Sequence, residues 1–129
     1  MDERTTDSIR TDGTLVTPHW SPATMLERLG GDEELAHQLV ELFISECPRM
    51  MAAVRDSVAS GNADQVRRAS HAFKGSVGNF TDEAPMTTAF ELEQIGKDGR
   101  LDRTAMLLAR LECEVEEFLS ALRRFEEGQ

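Results

Sequence analysis

The stretch "QVRRASHAFKGSVGNF", residues 65–80, decides how this chain folds. Val66, Ala69, Phe73, Val77 and Phe80 recur at spacings of three and four, the mark of a helix with one apolar side. On a helical wheel over 63–80, at about 100° per residue, these five gather toward a core and His71 stands nearly opposite. Asp64, Arg67, Arg68, Lys74, Gly75 and Gly78 fall within about 60° of His71 on the same wheel. The histidine is therefore expected in solvent, flanked by cations, with a bare strip of backbone just beyond it.

Gly75 and Gly78 raise a question, because each costs a helix interior roughly 0.5–1 kcal/mol relative to alanine. A glycine one turn past a surface histidine removes the side chain that would crowd the ring, and lets another molecule approach closely. The other reading ends the helix at "FKGS", with Lys74 near the last carbonyls and Gly75 as a left-handed cap. Periodicity alone leaves both open.

Outward from this helix the pattern stays helical. Toward the N-terminus, a long amphipathic segment runs from Asp32 to about Ser60, with Leu35, Leu39, Leu42, Phe43, Met50, Val54 and Val58 as its core stripe. Pro48 lies inside it and is expected to bend or briefly break it. "SGN" at 60–62 closes the segment, and Asn62 can cap the next. Before it, "HWSPATMLERLGG" predicts a short helix capped by Ser21, opened by Pro22 and stopped by Gly30 and Gly31. Residues 1–18 lack periodicity and read as a flexible leader or linker, leaving 19–127 as one domain.

Toward the C-terminus, "TDEAP" reads as a helix start, with Asp82 as cap and Pro85 in the first turn. Met86, Phe90, Leu92 and Ile95 supply that helix's apolar positions, and "GKDG" at 96–99 reads as a turn. A last helix over about 101–126 carries Leu108, Leu111, Val115, Phe118, Leu122 and Phe125. No segment alternates as a strand does. The expected fold is all-α, an antiparallel four-helix bundle with a short extra N-terminal helix.

Charge narrows the function. The chain has 24 acidic against 14 basic residues, a formal charge of −10, which argues against nucleic acid or an anionic membrane as partner. Within it, residues 61–81 hold Arg67, Arg68 and Lys74 against Asp64 alone, a net of +2. Such an island attracts a phosphoryl group or an acidic pocket. Cys47 and Cys113 are too few and too far apart for a zinc site, and read as small buried or half-buried thiols. With no apolar signal or span, a cytoplasmic home is expected.

The residues "ASHAFKGSVGNF" closely resemble the signature of histidine-containing phosphotransfer (HPt) domains of bacterial two-component phosphorelays, a His-x-x-Lys-Gly-Ser core on a bundle helix. "MLERLGGDEELAHQLVELFISECPRM" looks like that family's first two helices, "SGNADQVRRASH" like its approach to the histidine, and "ELE" at 91–93 like the following helix. The likeness covers roughly residues 20–125. Thr81, Asp82, Val77 and Pro85 depart from the common pattern, all at or near the turn after the histidine helix.

The resemblance implies that His71 accepts a phosphoryl group from a receiver-domain aspartate and relays it to another response regulator. Lys74 would steady the phosphoryl oxygens, Gly75 and Gly78 would admit the receiver, and Arg67 and Arg68 would dock its acidic pocket. Partners would be receiver domains and a hybrid sensor histidine kinase. The chain would be a monomeric phosphocarrier without turnover or cofactor of its own, any Mg2+ belonging to the receiver. Imidazole suits the task, being a neutral nucleophile near pH 7.

Three rivals compete. A binding-only adaptor would dock receivers without carrying phosphate, but an intact His-x-x-Lys-Gly points away from it. A metal-binding bundle would use Glu34 and His37, yet the second Glu-x-x-His is absent, so His37 reads as a polar-face residue and His19 as a terminal one. An autonomous enzyme would need a nucleotide loop or an acid–base constellation that the sequence lacks.

Overall fold

The computed structural model describes residues 21–128 as five helices. They are α1 (Pro22–Arg28), α2 (Glu33–Ser60), α3 (Ala63–Val77), α4 (Met86–Asp98) and α5 (Thr104–Glu126). No strand occurs among the described residues, and none of their helices is long and apolar enough to cross a membrane. The expected leader and His19 lie outside the described residues.

Local chemistry sets most boundaries. The Ser21, Asp32 and Asn62 side chains accept from the backbone amides of Thr24, Leu35 and Gln65, at 3.2, 3.0 and 3.1 Å, each satisfying an otherwise orphaned helix N–H. Gly61 and Gly99 end α2 and α4 with φ of 67° and 74°, a region that side chains disfavour. With connections this short, successive long helices run antiparallel. α2 packs on α3 and α5, and α4 packs on the same two, closing a four-helix bundle; α1 leans on α2.

The core is centred on Phe43, whose ring lies 5.2 Å from that of Phe80, 6.1 Å from Phe118 and 6.2 Å from Phe73. Val66, Phe73, Val77 and Phe80 are buried, as the apolar spacing of residues 65–80 predicts. The face of α2 differs from the expected stripe. Leu35 and Leu42 are exposed, Leu39, Met50 and Val58 sit at the margin, and the buried line is Ala36, Val40, Phe43, Cys47, Met51 and Val54. The small side chains Ala36 and Cys47 share the inner positions with the larger Val40, Phe43 and Met51. Leucines mark the stripe's edge instead.

Three further expectations are corrected. Of the two effects expected of Pro48, the break does not occur: α2 runs through it, with Pro48 on the exposed side, where water can serve the carbonyl that loses its partner. Asp82 does not cap α4. No side chain caps α4, whose N-cap is Pro85; in the turn before it Thr81 Oγ1 accepts from the Glu83 amide at 3.0 Å, and the Met86 amide donates to the Glu83 carbonyl. Gly96 is no turn residue: α4 continues to Asp98, and Gly96 is buried against α3. Of the two thiols, Cys47 is buried, and burial pushes it up to about 11, whereas Cys113 is exposed.

Candidate functional site

The two readings left open at "FKGS" are separated by the backbone. α3 continues through Gly75 to Val77, and Gly75 has no positive φ. A methyl group built on Gly75 meets nothing within 4 Å among the described residues, so none of them demands a glycine there. Its lack of a side chain leaves open surface one turn beyond His71. At Gly78, where α3 ends, an added carbon would lie 2.9 Å from the Lys74 carbonyl and 3.9 Å from Met86 Cγ.

His71 sits on the outer wall of α3 with its side chain 63% exposed. Its one described partner comes from α4: Nδ1 lies 2.9 Å from Glu93 Oε2. The other oxygen of the same carboxylate, Oε1, lies 2.7 Å from Lys74 Nζ. Glu93 thus bridges the histidine and the lysine. Its own side chain is only 14% exposed. Burial works against its ionisation, yet the hydrogen bonds from Lys74 and His71 and their charges outweigh that, holding the carboxyl below its ordinary range.

The protonation pattern of the ring follows. An ionised carboxylate can only accept, so His71 Nδ1 must be the nitrogen that carries the proton. In a neutral imidazole the remaining nitrogen, Nε2, then holds the lone pair. The site presents a nucleophilic nitrogen on an exposed ring, with the ring's other edge fixed.

Lys74 has a second neighbour, the Phe90 ring, whose centroid is 5.0 Å from Nζ. Phe90 was an expected core position of its helix but is 46% exposed, because Ala89 and Leu92 take the inward positions of α4. Beyond Lys74 opens a groove of about 540 Å³ floored by Gly75, Gly78 and Met86, with Phe90 on one wall and Arg28 at its end. Arg28 is placed there by α1, its guanidinium donating to the Gly78 carbonyl at 2.6 Å.

Arg67 and Arg68 lie one turn before His71, and both grip Asp64, Arg67 at 2.9 Å. Those bonds, Arg68's first and then Arg67's, keep the Asp64 carboxyl below its usual range. The three side chains together leave one net positive charge beside the histidine. His37 lies far along the bundle, with Nδ1 3.2 Å from Glu126 Oε2 and its ring stacked on Phe125 at 4.3 Å. Among the described residues no group of three or more His, Cys, Asp or Glu could hold a metal ion.

Glu93 and the lysine-holding side of Phe90 went unread in the sequence. Glu93 carries no local mark beyond its place in "ELE". One signal did exist: in an antiparallel pair, residues climbing one helix meet residues descending the other. Gly96 packs on Arg67; one turn along, Glu93 meets His71; another turn on, Phe90 meets Lys74; and Met86 meets Gly78. Knowing the first contact predicts the rest.

The Hpt domain family model matches residues 38–125, which include every residue of this cluster except Arg28. Among solved structures, the chain is similar to histidine-containing phosphotransfer protein B (HptB) of Pseudomonas aeruginosa. The TM-score is 0.78 at 19% sequence identity, over 88% of this chain and 98% of that one, a likeness of fold. No curated protein sequence matches. Helices, register and family model agree: the chain belongs to the Hpt domain family, the histidine-containing phosphotransfer domains of phosphorelays.

Proposed function

We propose that His71 Nε2 takes a phosphoryl group from the aspartyl phosphate of one receiver domain and passes it to the aspartate of another. The observation that supports this most directly is the exposed ring with Nδ1 tied to Glu93, beside Lys74 and the bare backbone at Gly75. In the forward step the N–P bond forms as the P–O bond to the aspartate breaks, and the aspartate leaves as carboxylate. Attack through Nε2 places positive charge on a ring that still holds its Nδ1 proton. The Glu93 carboxylate is already in position to neutralise that charge, which is where preorganised electrostatics lowers a barrier. Return transfer runs the same bonds in reverse.

Lys74 offers its ammonium to the phosphoryl oxygens, and the gap at Gly75 admits the receiver's active-site loops. Arg67 and Arg68 face the receiver's acidic pocket, with Met86 and Phe90 as an apolar rim. The chain acts as a carrier, with no turnover and no cofactor of its own; Mg2+ belongs to the receiver. A hybrid sensor histidine kinase supplies the first receiver, and the carrier works as a cytoplasmic monomer. Since a shuttle must release each partner, the interface is small and transient.

The test is intact mass after mixing with a phosphorylated receiver, followed by brief acid treatment. One added phosphoryl group that acid removes is the expected result, because phosphoramidates are acid-labile. No uptake, or an acid-stable adduct, would overturn the proposal.

Glu93→Gln probes the proton assignment. A glutamine has one acceptor oxygen, so it can satisfy His71 Nδ1 or Lys74 but not both. Transfer should slow roughly tenfold, the scale of a hydrogen bond to a charged group. The 15N shifts of the His71 ring should move toward a mixture of tautomers. Because Glu93 is depressed in the folded chain, its stabilising contribution is complete above the ordinary carboxylate range. It is lost as pH falls through the folded value, and the Gln variant should lack that acid limb. Unchanged 15N shifts would contradict the assignment.

A further inference from the structure

We propose that Phe90 is a positioning residue for transfer at His71, acting through the Lys74 ammonium that its ring holds at the edge of the site. The proposal rests on the reading of His71 and Lys74 given above. Lys74 Nζ lies 5.0 Å from the Phe90 ring centroid, within the range where the negative face of an aromatic ring attracts a cation. The ring is 46% exposed while Ala89 and Leu92 serve the core, so packing within the bundle does not call for a phenylalanine at this position.

The chemistry explains why a ring is useful there. Lysine has a long flexible stem, and an ammonium left to wander must be ordered again at every transfer. Glu93 orders it from one side, at 2.7 Å, but a carboxylate also neutralises the charge it holds. An aromatic face attracts the cation without cancelling it, leaving that charge for phosphoryl oxygens. Phe90 and Glu93 stand one turn apart on α4, so a single rigid helix supplies both sides of the cradle.

Phe90→Leu separates this role from plain apolar docking, since leucine keeps an apolar surface but has no ring; Phe90→Trp restores a stronger aromatic face. Single-turnover transfer from a phosphorylated receiver is measured over a range of receiver concentrations. The expected result is a maximal rate roughly two- to fivefold lower for Phe90→Leu, with the half-saturating receiver concentration unchanged and the rate recovered in Phe90→Trp. In the parent chain the ε-methylene protons of Lys74 should be shifted upfield by the ring, and Phe90→Leu should remove that shift. Leucine at the parent rate, equal losses in both variants, a change confined to half-saturation, or unshifted Lys74 protons in the parent would each overturn the proposal. A parent chain that takes up no phosphoryl group overturns the reading of His71 itself. A normal parent with an indifferent Phe90→Leu overturns only the role of Phe90.

Discussion

His71→Gln should abolish phosphoryl uptake and leave the bundle as stable as before. The two halves of that outcome come from the same geometry. The side chain is 63% exposed and holds one described contact, the hydrogen bond to Glu93, which a glutamine amide can also donate. Glutamine is a slightly better helix former than histidine, so the melting midpoint should stay within the effect of about 0.5 kcal/mol expected of a surface change. The amide, however, has no nucleophilic lone pair on nitrogen, and intact mass after exposure to a phosphorylated receiver should show only background. An acid-labile adduct that persists would place the nucleophile elsewhere. His37 is a poor substitute, since it lies at another part of the bundle against Glu126 and Phe125.

What was legible in the sequence follows from how local each signal is. The face of α3 could be read because its polarity repeats within one helix, and His71 was placed in solvent by the five apolar residues opposite it. Caps at Ser21 and Asn62 and the stop at Gly61 depend on a few neighbouring residues, and these too could be read. Phosphotransfer was legible because its motif is contiguous, all within one turn and a half of helix. The buried line of α2 was legible only in part: Phe43 and Val54 are inside as expected, but so are Ala36 and Cys47, while Leu35 and Leu42 are exposed, because which edge of a broad apolar stripe is covered depends on where the neighbouring helices lie. Glu93, Phe90 and Gly96 share a different difficulty. Their roles are defined only against residues sixteen to thirty-three positions earlier, and pairing two helices requires a register that neither helix states alone.

That register hangs on Gly96, which makes Gly96→Ala the more demanding test of the fold. An added methyl group would lie 2.7 Å from the Arg67 amide nitrogen, 2.8 Å from the Ala63 carbonyl oxygen and 3.0 Å from Arg67 Cα. All three are backbone atoms of α3, so no rotamer change relieves the contact; the helices must move apart or slide. Overpacking of this kind costs about 1–3 kcal/mol, and against backbone the upper end applies. Better helix propensity returns up to about 1 kcal/mol. A net loss near 2 kcal/mol should lower the melting midpoint by roughly 8 °C for a domain of this size. Gly75→Ala is the control on the neighbouring helix: its methyl meets nothing within 4 Å among the described residues, so the propensity gain remains and the midpoint should rise. The displacement also has a chemical consequence. Glu93 and Phe90 reach His71 and Lys74 one and two turns along the same helix pair, so pushing α4 off α3 at Gly96 loosens both contacts at once. Uptake of phosphoryl by Gly96→Ala should therefore slow even at temperatures where the variant is fully folded, with the His71 15N shifts moving as they do in Glu93→Gln. A Gly96→Ala chain at least as stable as its parent would mean that the close approach of α3 and α4 does not set the register of the site.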